Sequence, residues 1–219
     1  MIDRFRLPLL CLLLSANAAV AASAETEAAA KATEGTRYYT GQGVPMDRAR
    51  AARLYGEACD GGEAISCALL GAMYLSGEAV AQDKERAVQL FRRACDGAYA
   101  EGCTSLGVSY SKGIGVPQDK AKAVQLYGKA CDGADSYGCA NLGVMYFRGD
   151  SVAQDKTRAA QLYGKACDLG NPDGCTNLGV MYYNGDGIGQ DKARALPLFH
   201  RACDRGSATS CNVLRDLSH

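Results

Sequence analysis

The chain has no tryptophan, two histidines (His200 and His219), five prolines and no net charge, its 24 Lys+Arg balancing 24 Asp+Glu. Each scarcity removes a class of function. Without a basic surplus there is no electrostatic footprint for nucleic acid or for an anionic membrane surface. Two histidines cannot build a His-rich zinc site, and no C-x-x-C pair occurs that would suit a zinc site or a thioredoxin-like centre. No metal and no cofactor is therefore expected. The motifs S-D-N and K-T-G, which complete a serine β-lactamase site, are missing too. The apolar run from Leu7 to Leu14 is too short to cross a bilayer, so no membrane span is expected.

What the sequence has in excess is cysteine, 11 residues in 219. Ten of them form five pairs spaced by eight: Cys59 and Cys67, Cys95 and Cys103, Cys131 and Cys139, Cys167 and Cys175, Cys203 and Cys211, with each pair 36 residues after the last. So regular a period is the signature of a repeat architecture, in which each unit buries its apolar face against its neighbours instead of in one central core.

The N-terminus accounts for the odd cysteine. Arg4 and Arg6 precede the apolar run, and small residues follow from Ser15 to Ala24, which reads as a signal peptide cleaved after Ala21 or Ala24. Cys11 follows Leu10 and not a small residue, which speaks against a lipid anchor, and it departs with the leader. An even count in an exported chain points to disulfides and to the periplasm or beyond. The expected organisation is a signal peptide at 1–24 and a single repeat domain at 25–219. Within it lie a degenerate first unit at 25–60, repeats at 61–96, 97–132, 133–168 and 169–204, and a capping helix at 205–219.

Each unit reads as two helices. In the first, Cys67, Leu70, Gly71 and Tyr74 fall on one helical stripe. Gly71, Gly107, Gly143 and Gly179 recur on it, although glycine inside a helix costs roughly 1 kcal/mol relative to alanine. A neighbouring helix is expected to cross there at close range. Asp47, Asp83, Asp119, Asp155 and Asp191 precede the second helices as N-cap candidates. Those helices repeat the pattern of Ala87, Leu90, Phe91, Ala94 and Cys95, and fill one aromatic slot with Tyr55, Phe91, Tyr127, Tyr163 and Phe199. Pro197 stands six positions after its cap, where a late helix start or a kink is expected. The cysteines of each pair then face each other across a helical hairpin. Structural disulfides are favoured over metal or redox chemistry, and each loop of this size contributes about 2 to 3 kcal/mol in the chain-entropy picture.

The pattern L-G-x-x-Y, then G-x-G-[IV]-x-Q-D-K-x-[RK]-A, then L-[YF]-x-x-A-C-D, resembles the Sel-one-like repeats, relatives of the tetratricopeptide repeat. Its cysteine-bearing form resembles the Hcp family of Helicobacter cysteine-rich proteins, over residues 28 to 217. The resemblance implies an all-α, right-handed αα-superhelix of helix pairs, stapled by disulfides and exported. It implies two activities as well: binding of peptides or cell-wall-related ligands such as peptidoglycan fragments on the concave face, or penicillin binding with weak β-lactamase activity.

Ser109-Tyr110-Ser111-Lys112 spells S-x-x-K, which makes Ser109 and Lys112 the candidates for β-lactam chemistry. With 12 serines and nine lysines, about half such a match is expected by chance. For binding, the stripe beside the packed one differs between copies: Leu69, Met73 and Ser76; Ser105, Ser109 and Lys112; Asn141, Met145 and Arg148; Asn177, Met181 and Asn184. Ser105, Asn141, Met145, Arg148, Asn177, Met181 and Asn184 are the ligand-binding candidates. Asparagine offers donor and acceptor to a peptide backbone, arginine receives carboxylates, and methionine adapts to apolar groups. A monomer with a protein or peptide partner, a peptidoglycan fragment or a β-lactam as ligand, is the expectation.

Overall fold

The computed structural model describes residues 25–217, so the expected leader lies outside the described residues. All regular structure among them is helical: α1 at 25–40, α2 Arg48–Asp60, α3 Ala64–Ser76, α4 Lys84–Asp96, α5 Ala100–Lys112, α6 Lys120–Asp132, α7 Ser136–Arg148, α8 Lys156–Asp168, α9 Pro172–Asn184, α10 Lys192–Asp204 and α11 Ala208–Leu217. The chain divides into two compact units, with the boundary between Leu90 and Phe91 inside α4.

The helix starts follow the aspartates. Asp47, Asp119, Asp155 and Asp191 each accept from the backbone amide three residues on, at 2.8 to 3.0 Å. Odd-numbered helices have caps too, which the sequence reading did not assign: Glu63 accepts from Ser66 N, Asp135 from Gly138 N and Asn171 from Gly174 N. They end at Gly77, Gly113, Gly149 and Gly185 in the left-handed conformation, where glycine avoids the Cβ clash.

In the first unit, Ala28 packs beneath Gly61 and Gly35 meets the ring of Tyr55, joining α1 to α2. In the second, α5 packs on α6, α7 and α9 each pack on the even-numbered helices before and after them, and α7 also touches α5 and α9. The recurring helix glycines lie where this packing is tightest. A Cβ on Gly107, Gly143 or Gly179 would stand 2.7 to 2.8 Å from the ring of Tyr127, Tyr163 or Phe199. The expected close neighbour is therefore the aromatic slot of the next helix. A second set of glycines had no sequence reading: at Gly102, Gly138 and Gly174 a Cβ would come within 2.5 to 2.6 Å of Ala94, Ala130 and Ala166. They sit one residue before a cysteine, where the disulfide draws two helices together.

All five cysteine pairs are bonded, with Cα separations of 4.5 to 4.8 Å across the hairpins. The carbonyls beside them also bind successive repeats. Lys129 Nζ donates to Cys95 O at 2.8 Å, Lys165 Nζ to Cys131 O at 2.7 Å, and an Arg201 guanidinium nitrogen to Cys167 O at 2.8 Å. Each cation thus adds a second, charged donor to a helix C-terminal carbonyl one repeat back, which already accepts from the backbone amide three residues on.

Pro197 corrects the sequence reading in one respect. The helix does not start late: α10 begins at Lys192 on the Asp191 cap and carries Pro197 inside it. Pro197 and Ala193, whose carbonyl loses a donor, are both exposed, so water can replace the bond, while Ala195, Phe199 and Ala202 are buried on the other side.

Candidate ligand-binding site

The second unit holds a cleft of about 200 Å³ between α7 and α9, lined by Val144, Phe147, Arg148, Tyr163, Asn177, Val180 and Met181. Its construction follows from the repeat. Gly143 lets the Tyr163 ring of α8 come within van der Waals reach of α7, and that ring forms part of the cleft. Val144, Phe147 and Arg148 follow Gly143 on α7 at offsets of one, four and five, and Asn177, Val180 and Met181 bracket Gly179 on α9.

Three polar groups around this apolar lining have no hydrogen-bond partner among the described residues. The Arg148 guanidinium has no carboxylate beside it, although Lys120 and Lys156 nearby in sequence register are paired with Asp150 and Asp186. The Asn177 amide is half-buried and unbonded. The Tyr163 hydroxyl lacks the partner used by its first-unit counterpart, since Tyr55 donates to Thr36 Oγ1 whereas the matching position for Tyr163 is Val144. Burial pushes the Tyr163 phenol up to about 12, with the Arg148 charge opposing the rise. At neutral pH it is a protonated donor.

Of the residues singled out in the sequence, Arg148, Asn177 and Met181 are brought together here. Met181 is 2% exposed and Met145 4%, and both pack in hydrophobic clusters with the aromatic slot, Met145 against Tyr127 and Met181 against Tyr163. Met145 is thus a core side chain and not an adaptable surface contact, because it packs against the preceding helix, α6, and does not line the cleft. Ser105 and Asn141 are half-buried on α5 and α7, and Asn184 is exposed in the last turn of α9. Ser109 is 3% exposed and its Oγ donates to Ser105 O at 2.9 Å, along its own helix, while Lys112 is exposed and not bonded to it. A serine bonded back to its helix has no base to activate it. Val144, Phe147, Tyr163 and Val180 were not read as site residues. Only Phe147 carries a sequence signal, since its position changes through Leu75, Ser111, Phe147 and Tyr183, whereas Val144, Val180 and Tyr163 recur as packing residues do.

The first unit carries the same cleft three periods earlier, lined by Tyr39, Tyr55, Leu69, Ala72, Met73, Ser76 and Glu78. Glu78 is already engaged, accepting from Arg48 at 2.6 Å and from the Tyr39 hydroxyl at 3.2 Å.

Helix pairs repeated at a fixed period, with a disulfide across every hairpin, define a disulfide-stapled helical-repeat scaffold, the architecture of tetratricopeptide-like interaction modules. The Sel1 repeat model matches residues 35–63, 64–99, 100–135, 136–171 and 172–207, and the chain belongs to the Sel1 repeat family. Among solved structures it is similar to c5321, a protective antigen of uropathogenic Escherichia coli, with 34% identity and a TM-score of 0.77 over 84% of this chain and 39% of that one. It is also similar to a Sel1 repeat protein from Oxalobacter formigenes, with 28% identity and a TM-score of 0.81 over 87% of this chain and 76% of that one. Helicobacter pylori cysteine rich protein B shares 37% identity over 63% of this chain and 98% of its own length, with a TM-score of 0.50. This chain thus spans 39% of the length of the Escherichia coli antigen. A comparison with curated protein sequences finds no match. Five disulfides place the chain in an oxidising compartment outside the cytoplasm. Among the described residues no helix is long and apolar enough to cross a membrane.

Proposed function

We propose that the chain is an exported scaffold that binds a protein or peptide through the face carried by its odd-numbered helices. The observation that carries this reading is the cleft between α7 and α9. There, positions that vary from repeat to repeat, Arg148, Asn177 and Phe147, bring an unpaired cation, an unbonded amide and a ring to one opening beside the recurring Val144, Val180 and Met181. Packing positions such as Gly143 and Tyr163 are by contrast constrained by contact. Variation confined to a face, above a uniform interior, is how repeat proteins change ligand while keeping their fold. Peptidoglycan fragments share the amide and carboxylate chemistry of peptides and fall within the same reading. Against a β-lactam-directed enzyme stand the burial of Ser109 and its bond to the Ser105 carbonyl.

Selection of random peptides on the oxidised protein tests the proposal. Sequences enriched on the wild type are expected to be lost on the triple variant Asn141→Ala, Arg148→Ala, Asn177→Ala. Enrichment of the same sequences on both proteins would remove this face from consideration. Nitrocefin turnover abolished by Ser109→Ala would restore the enzyme reading.

A further inference from the structure

The chemistry of the α7–α9 cleft narrows the ligand, on the footing that this face binds peptides. Its volume of about 200 Å³ lies below the range of cavities that enclose drug-sized molecules. It suits one side chain with its adjoining backbone. Val144, Phe147, Val180 and Met181 supply apolar walls, of which Val180 is open to solvent at 38% exposure. An apolar side chain entering here is removed from water on several sides.

The polar groups have a different demand. Arg148 offers a fork of N–H donors, the Tyr163 hydroxyl is a further donor, and both lack an acceptor among the described residues. Asn177 can donate through its amide nitrogen and accept through its oxygen. The site therefore holds a surplus of donors and one positive charge, with no carboxylate to neutralise it. Lys120 and Lys156 are paired with Asp150 and Asp186, Lys129 and Lys165 with carbonyl oxygens, and Arg158 lies over the Tyr146 ring. Arg148, like Lys112 one period earlier, has no such partner among the described residues, and it is Arg148 that lines the cleft. A guanidinium matches a carboxylate in a planar, two-bond, charge-assisted arrangement that a neutral amide cannot reproduce.

We infer that the α7–α9 cleft is a receptor for the C-terminal residue of a peptide, its carboxylate received by Arg148 and the Tyr163 hydroxyl and its apolar side chain seated among Val144, Phe147, Val180 and Met181. Asn177 then pairs with the last peptide group. A chain terminus is favoured over an internal acidic residue because the carboxylate donors and the apolar walls share one small cavity. A C-terminal leucine or valine presents both groups on one α-carbon. An internal aspartate or glutamate carries its charge alone and would leave the walls empty.

Three fluorescently labelled pentapeptides separate the possibilities by anisotropy on the oxidised full chain. One ends in leucine with a free carboxylate, the second is its C-terminal amide, and the third is an amide with glutamate preceding the leucine. The free acid is expected to bind about tenfold or more tighter than its amide. Arg148→Gln, at an exposed position without an ion pair, is expected to abolish that preference while leaving the helical circular dichroism unchanged. Asn177→Leu, which installs the residue of the corresponding first-unit position, is expected to weaken the free acid several-fold. Equal binding of acid and amide, or a preference surviving Arg148→Gln, would overturn the inference. Binding of the glutamate peptide as tight as the free acid would overturn the assignment to a chain terminus. The wider reading is judged separately: enriched library peptides lost on the triple variant keep the face as a binding surface even when the carboxylate preference is absent. No enrichment and no pentapeptide binding would sink both.

Discussion

The cleft of α1 and α3 and the cleft of α7 and α9 occupy the same register in the repeat, yet they have diverged in chemistry. In the first, Tyr39 and Leu69 stand where the second has Phe147 and Asn177, and the acid at the rim, Glu78, is consumed by Arg48 and Tyr39. In the second, the rim cation Arg148 has no partner, and the slot tyrosine has lost its hydroxyl partner because Thr36 is replaced by Val144. What is common to the two, a glycine, an aromatic ring and a disulfide, is what the fold requires. What differs is left over for recognition.

The staples provide the largest test of that division. Replacing both cysteines of the Cys131–Cys139 pair with serine is expected to cost about 2 to 3 kcal/mol in urea denaturation, and the same change at Cys59–Cys67 an equal amount, since the closed loops are of equal length. Unequal losses would mean that the two units do not share one structural solution. Next in size are the glycines. A Cβ at Gly143 would press within 2.7 Å of the Tyr163 ring, against 3.0 Å between Gly35 and Tyr55. Overpacking of about 1 to 3 kcal/mol, less the roughly 1 kcal/mol that alanine gains in a helix, leaves a cost of about 0 to 2 kcal/mol, with Gly143→Ala expected toward the upper end and Gly35→Ala close to neutral. The same shift of the Tyr163 ring should weaken peptide binding at the second cleft.

The smallest effect discriminates most finely. Tyr55→Phe removes a bond to Thr36 and is expected to lower stability by about 1 kcal/mol. Tyr163→Phe removes none and is expected to leave stability unchanged while weakening a carboxylate ligand. If the two substitutions behave alike in both measurements, the contrast between the clefts has no energetic content.

Positions that repeat identically, such as Cys139, Gly143 and Asp155, were readable because the same local constraint acts in every copy. Their roles as staple, close approach and cap emerged as expected. Arg148 and Asn177 were readable as exceptions to that uniformity. Met145 was not, because a stepping rule along one helix cannot say which side a neighbouring helix covers, and Tyr127 of α6 packs against it. The caps at Glu63, Asp135 and Asn171 were hidden by a related limit, since the position is filled by three residue types and in other copies by Tyr99 or Ser207.

Period, helix pairing and the partner of every repeated cysteine follow from the linear order of residues, because each depends on contacts within a few tens of positions. Tertiary packing alone decided which member of the variable stripe meets solvent and which meets an aromatic ring. It also decided where donors are left without acceptors. Burial and bonding of a side chain are set by the neighbouring repeat, and no rule applied to one helix at a time contains that information.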